Sequence, residues 1–146
     1  MEHFNSKYLQ TIDAKGRLQL SRDIRGEFQL RKGDLLYLLP STGPQPHLEI
    51  RTAKQWLAYK EAFLGQTPSG SKRDFMRFVE LSKEKVRTDS QGRIGIPKRL
   101  RELCAIDGQV IVVNMTFCIE IWNPPFIASR YQDFAQAFRD FNDSLL

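Results

Sequence analysis

The sequence is poor in the residues that build disulfide frameworks, metal sites and membrane spans. Only two of its 146 residues are cysteine and two are histidine. Cys104 and Cys118 are too few for a disulfide scaffold and lack CxxC spacing, so they are expected as half-buried thiols in a reducing cytoplasm. The longest purely apolar stretch, Leu35 to Leu39, is far too short to cross a bilayer. The opening MEHFNSKY holds no apolar core, which argues against a secretory signal. No GxxxxGK(S/T) loop, GxGxxG turn, HExxH helix or GxSxG elbow occurs. His3 lies at the terminus and His47 in the Pro-flanked turn PQPH, and each reads most simply as a surface residue. The carboxylates are scattered among Lys and Arg, as in solvated ion pairs. No nucleophile has a base beside it, so no catalytic residue, metal or cofactor is expected.

What remains is the composition of a folded, basic protein. Hydrophobic residues make up 41% and aromatics 11%, too apolar for disorder. The length suits one domain, or two very small ones sharing a core. A formal charge of +5 is compatible with a nucleic-acid partner without establishing one.

The organising feature is an internal repeat with an offset of 76 residues. DAKGRLQLSRDIRGEFQL (13–30) matches DSQGRIGIPKRLRELCAI (89–106). Asp13, Gly16, Arg17 and Arg25 return as Asp89, Gly92, Arg93 and Arg101, and the apolar rhythm returns with them. LLYL (35–38) matches VIVV (110–113), and Leu48-Glu49-Ile50 matches Ile119-Glu120-Ile121. Each copy is therefore one supersecondary unit, and two copies make one pseudo-symmetric body.

Each unit reads as strand, turn, strand, basic helix and two closing strands. The first strand ends near Ile12, or Thr88 in the second copy. A turn with Asp first and Gly fourth follows. Alternation then points Leu18 and Leu20 inward and Arg17 and Gln19 outward, with Ile94 and Ile96 repeating this. In the second basic helix Pro97 suits the first turn, and Leu100, Leu103 and Cys104 share one face. Between the copies a helix capped by Thr52 carries Trp56, Leu57, Lys60, Phe63 and Leu64. GQTPSGS (65–71) is a break, and Ser71 with Asp74 has the capping-box pattern of a second helix. The linker is thus expected as a helical hairpin. The C-terminal segment steps Ile127, Tyr131, Phe134, Phe138, Phe141, Leu145, a heptad-like seam that packs on the chain's own strands or on a neighbouring subunit.

The duplicated Asp-x-x-x-Arg pair is the most telling chemical signal. Lys15 and Arg17 project from one tight hairpin, Gln91 and Arg93 from its counterpart. Such side chains suit a major groove, where Arg reads guanine and Gln reads adenine. Phosphate contacts would come from the adjacent helices, with Arg22, Arg25, Lys98, Arg99 and Arg101 available. The plainer reading is that Asp13–Arg17 and Asp89–Arg93 pin their turns as local ion pairs, and both readings hold together.

IDAKGRLQL, TDSQGRIGIPKRLREL, the FMRFVELS segment before the second copy and IEIW together resemble the MraZ family, within the wider group of AbrB-like swapped-hairpin proteins. The resemblance runs from about Phe4 to the C-terminal segment. It implies a β-rich α+β fold in which two tandem repeats form a pseudo-symmetric double-split β-barrel with flanking helices. The divisions would be 1–64 for the first repeat, 65–82 for linker and helix, and 83–146 for the second repeat. It also implies a homo-oligomeric ring that binds double-stranded DNA at repeated boxes upstream of a division and cell-wall gene cluster. Such a regulator would be cytoplasmic and associated with the nucleoid, with no membrane and no small-molecule substrate. Asp13, Gly16, Asp89 and Gly92 would be its signature turn residues. By the chemistry of the turns and basic helices given above, Lys15, Arg17, Arg22, Arg25, Gln91, Arg93, Lys98 and Arg99 would contact DNA, with Lys15 and Arg17 the more important because the first hairpin carries two cationic side chains where the second carries Gln91 and Arg93. The resemblance leaves two pseudo-equivalent faces, one of which would bind while the other assembles the ring. Ser21 stands where the family usually has Pro, and Asn114-Met115-Thr116 where it is usually glycine-rich. Two other classes remain open: an interaction module resembling an AbrB-type antitoxin, whose DNA binding needs a protein partner, and a small enzyme.

Overall fold

The alternating apolar residues of the two copies form strands, but the strands pair largely across the copies. A computed structural model describes residues 8–65 and 70–145, so His3 and most of the opening segment lie outside the described residues. The first copy runs β1 (Leu9–Thr11), β2 (Arg17–Leu18), α1 (Arg22–Glu27), β3 (Leu35–Pro40) and β4 (Leu48–Thr52), followed by α2 (Ala53–Leu64). After α3 (Gly70–Ser82) the second copy runs β5 (Glu84–Arg87), β6 (Ile94–Gly95), α4 (Lys98–Leu103), β7 (Gln109–Asn114) and β8 (Ile119–Trp122), followed by α5 (Pro124–Leu145). The result is a β-rich α+β fold with five helices among the described residues.

Six strands form one antiparallel sheet in the order β1-β7-β8-β4-β3-β5, and β2 and β6 form a separate two-stranded ribbon. Only β3–β4 and β7–β8 pair within a copy. β1 adds to β7 and β5 to β3, so each copy lends its first strand to the other. β4 and β8 join the halves, setting Glu49 opposite Glu120.

The sheet buries both faces. On one side Leu36, Leu38, Val110 and Val112 meet Leu18, Leu20, Ile94 and Ile96, together with Ile24 of α1, Leu100 of α4 and Cys104 at its C-cap, in a single core drawn from both copies. On the other side Leu39 packs with Trp56 and Val79 beneath α2 and α3, while Ile111 and Trp122 pack with Ile127 of α5. Cys104 and Cys118 are fully buried rather than half-buried, and burial pushes each thiol up to about 12.

The helix ends follow local chemistry, with some differences from expectation. Thr52 caps α2 in a reciprocal capping box with Gln55. Ser21 caps α1, its Oγ accepting from Ile24 N at 3.3 Å. Pro97, its counterpart, sits at the N-cap of α4 rather than in the first turn and makes no side-chain cap bond. Leu103 is 51% exposed: within the six-residue helix only Leu100 is buried, and the C-cap Cys104, one turn on, completes the core-facing stripe. Ser71 is not a cap: α3 already begins at Gly70, and Asp74 pairs with Arg77. The linker is nonetheless a helical hairpin, with Phe63 edge-on to Phe75 and Lys60 3.7 Å from Glu80. The α5 seam divides. Ile127 is buried, whereas Phe138 and Phe141 are 70% and 68% exposed.

His47 departs most from its expected surface position. It lies on the outer sheet face beside Glu49 and Glu120, where its ring stacks on Trp122 at 4.4 Å. Its Nε2 lies 2.9 Å from Glu49 and 3.2 Å from Glu120. Arg51 donates to the other Glu49 oxygen and Trp122 Nε1 to the other Glu120 oxygen. Burial alone would lower the imidazole pKa, but the hydrogen bonds to Glu120 and Glu49 outweigh it and raise it from 6.5 to about 9. The register of β4 and β8 thus brings two like charges together, and a protonated His47 bridges them.

Candidate nucleic-acid interface

The two Asp-x-x-x-Arg turns are built alike, bond for bond. Asp13 O accepts from Gly16 N at 2.9 Å and Asp13 N donates to Arg17 O at 2.9 Å, closing a four-residue turn. Asp13 Oδ1 accepts from Lys15 N and Arg17 N, and Oδ2 takes Arg17 Nε at 2.8 Å. Asp89 repeats every contact with Gly92, Gln91 and Arg93, including 2.8 Å to Arg93 Nε. The glycines supply the left-handed conformation that ends each turn, at φ 80° and 76°. Backbone hydrogen bonds from Arg17 and Arg93, against a smaller desolvation effect, lower both Asp pKa values and keep these carboxylates ionised. The expected ion pairs therefore exist. Because they use Nε, both Nη groups of each guanidinium stay outside the pair, with no other hydrogen bond among the described residues.

The structure brings the two turns to the two ends of one ribbon. β2 pairs with β6 through Arg17↔Gly95 and Leu18↔Ile94. Leu18 and Ile94 point into the core with 0% exposure, so alternation sends Arg17 and Arg93 to the opposite, outer face. Their side chains are 32% and 23% exposed. Lys15 and Gln91 lie exposed in the turns at either end of this ribbon.

The helix cations divide into three kinds. Arg22 and Lys98 are exposed, and Lys98 lies 3.7 Å from Glu102. Arg99 is committed to Ser82 O and Glu84. Arg25 and Arg101 each cross to the turn of the other copy. Arg101 Nε donates to Ile96 O, and a Cβ on Gly16 would come within 2.7 Å of that nitrogen. Arg25 approaches Gly92 in the same sense, but its buried Nε has no hydrogen-bond partner. The role of Arg101 as a lid over the Gly16 turn was not visible in the sequence, although its match to Arg25 marked it.

Among the described residues, His47, Glu49 and Glu120 are the one group with a metal-ligand combination, their ligand atoms lying within 4.8 Å of one another. His47 and Arg51 already balance both carboxylates there. No helix among the described residues is long and apolar enough to cross a membrane.

The fold and the paired turns define a duplicated turn–strand–helix protein whose copies share one sheet and one core. A family model described as "MraZ protein, putative antitoxin-like" matches residues 81–144. The chain is 30% identical to the Moorella thermoacetica "Transcriptional regulator MraZ", covering 97% of this chain and 93% of that one. It is 33% identical to the Ligilactobacillus salivarius protein of the same name, over 96% and 92%. With the Thermoanaerobacter pseudethanolicus protein, also so named, it shares 35% over 80% and 78%. The chain belongs to the MraZ family.

Proposed function

We propose that this protein is a sequence-specific DNA-binding transcriptional regulator and not an enzyme. The observation that carries this reading is the convergence of both Asp-oriented arginines on the outer face of one two-stranded ribbon. A β-ribbon fits the major groove of B-form DNA, and Arg matches the O6 and N7 edge of guanine. Asp13 and Asp89 hold Nε and thereby fix the guanidinium plane before DNA arrives, which reduces the ordering cost of binding. Arg22 and Lys98 flank the ribbon as phosphate contacts, with Arg25 and Arg99 as further cations. Lys15 gives the first turn a charge where the second has Gln91, so Lys15 and Arg17 contribute more than Gln91 and Arg93. The names of the relatives support the regulatory role.

We read the architecture as a swapped-hairpin barrel in two repeats, 1–64 and 83–146, with 65–82 as linker and helix. The exchange of β1 and β5 between copies supports it. The exposed Phe138 and Phe141 support a homo-oligomer, read as a ring that sets several ribbons side by side. Avidity over repeated boxes upstream of a division and cell-wall gene cluster would then replace high affinity at any one box. This reading places the protein in the cytoplasm, on the nucleoid. The same exposed phenylalanines favour a second reading, an antitoxin-like module whose DNA binding needs a protein partner.

The test is a fluorescence-anisotropy titration against the DNA upstream of the protein's own gene and a scrambled duplex, at several salt concentrations. Preference for the native duplex that survives moderate salt supports base readout. Equal binding that fades steeply with salt reduces the ribbon to phosphate attraction. Absence of binding refutes the regulator acting alone.

A further inference from the structure

The backbone of the β2–β6 ribbon repeats itself, but its outer surface does not. Arg17, Gln19, Arg93 and Gly95 face away from the core. Under the 76-residue offset Arg17 matches Arg93, whereas Gln19 matches Gly95. One copy carries an exposed primary amide where the other carries no side chain.

Nothing in the fold requires glycine at position 95. Gly95 is absent from the positive-φ residues, unlike Gly16 and Gly92. A Cβ built on it meets nothing within 4 Å. Glycine inside a strand weakens the strand, and this one occupies half of a two-residue strand. What a strand glycine offers in return is close approach of another molecule to the backbone. Gly95 lies directly opposite Arg17, so the open space adjoins one of the two guanidinium groups. Continuing the register by two residues sets Gln19 opposite Arg93, at the other end.

We propose that Gln19 and Gly95 are the residues that give the ribbon its base specificity. Gly95 lets the Arg17 end seat close to the base edges of a B-form duplex, and Gln19 reads the base pair beside the one contacted by Arg93. The side-chain amide sets an N–H donor beside a C=O acceptor, so the amide can donate to adenine N7 and accept from adenine N6. The two ends of the ribbon therefore read different base edges through near-identical backbones. This inference rests on the DNA-binding reading above.

The experiment uses the full chain and a randomised duplex library, selected by binding and sequenced, followed by anisotropy titration of the selected duplexes. Four proteins are compared: wild type, Gln19→Ala, Gly95→Val and the double variant Arg17→Ala/Arg93→Ala. Thermal unfolding of each confirms that it folds. Gln19→Ala is expected to lose about tenfold discrimination at one adenine position while retaining its salt-dependent affinity. Gly95→Val is expected to bind at least about tenfold more weakly with unchanged melting. Should Gly95→Val fail to fold, Gly95→Ala and Gln19→Ala still decide the matter. Loss of binding in the arginine double variant, with wild-type sequence choice in Gln19→Ala and wild-type affinity in the Gly95 variant, overturns this inference and leaves the DNA-binding reading standing. Undiminished binding by the arginine double variant, or no enrichment by wild type, overturns both.

Discussion

Replacing His47 with Gln removes the charge that bridges Glu49 and Glu120 while keeping an amide able to donate a hydrogen bond. In the folded protein the imidazole pKa rises from 6.5 to about 9. The folded state thus holds its proton more tightly than the unfolded chain does, and the linked stability is fully present below about pH 6.5. It falls by about 1.4 kcal/mol per pH unit as pH rises toward about 9, and is gone above that. The whole contribution is at most about 3–4 kcal/mol, a large share of a domain's net stability. Glu49 and Glu120 have lowered pKa values because the His47 hydrogen bond, with help from Arg51 and Trp122 respectively, outweighs their desolvation. Their contribution is present above the ordinary carboxylate range and lost as pH falls through it. Urea unfolding of wild type and His47→Gln across this range should show a gap that is widest near about pH 6 and closes toward about pH 9. A gap of constant size would mean that His47 acts by packing on Trp122 alone, and the charge argument would be wrong.

Gly16→Ala should destabilise by roughly 1–3 kcal/mol through its φ of 80° and the clash with Arg101, and more than Gly92→Ala, where Arg25 stands 4.0 Å away; equal losses by thermal unfolding would discount the Arg101 contact. Thr52→Ala should cost about 1 kcal/mol by removing the capping box, read by the same method; an unchanged midpoint would mean that packing of Trp56 alone holds the start of α2. Arg17→Ala should weaken DNA binding more than Arg93→Ala at equal melting temperature, and anisotropy giving the reverse ranking would overturn the weight placed on the first turn. On the proposed homo-oligomer reading, Phe138→Ser/Phe141→Ser should lower the oligomeric state measured by light scattering without altering thermal stability, since both side chains already face solvent; an unchanged state would remove α5 from that proposal.

The features legible in the sequence are those whose chemistry is local. Asp13 and Gly16 specify their turn within four residues, so the turn and its duplicate could be read directly. Thr52 and Gln55 likewise announce the start of α2. Pairing between copies is different. Nothing near Leu9 says that it will lie against Ile111, because period-two alternation fixes a strand's face but not its neighbour. The setting of His47 is hidden for the same reason: PQPH marks a turn, while the environment of the ring comes from Glu120, set opposite Glu49 by a register between distant strands. The α5 seam shows its periodicity but not its end: Ile127, Tyr131 and Phe134 lie along the sheet beside Ile111 and Val113, whereas Phe138 and Phe141 face solvent. Leu103 followed the helical rhythm of its neighbours, yet a helix of six residues has too narrow a contact stripe to bury it.

The loan of β1 to β7 also sets the order of events during synthesis. Leu9 leaves the ribosome about a hundred residues before Ile111, its partner, a delay of roughly 5–20 s at ordinary elongation rates. Over that interval the first copy is translated but cannot close: β3 waits for β5, β4 for β8, and β1 for β7. Nascent chains on one messenger carry these unpaired edges side by side, and a β1 strand has no means of telling its own β7 from that of the chain ahead. The exchange that joins two halves within one protein is thus the same reaction that would join two proteins, and chain connectivity alone favours the first.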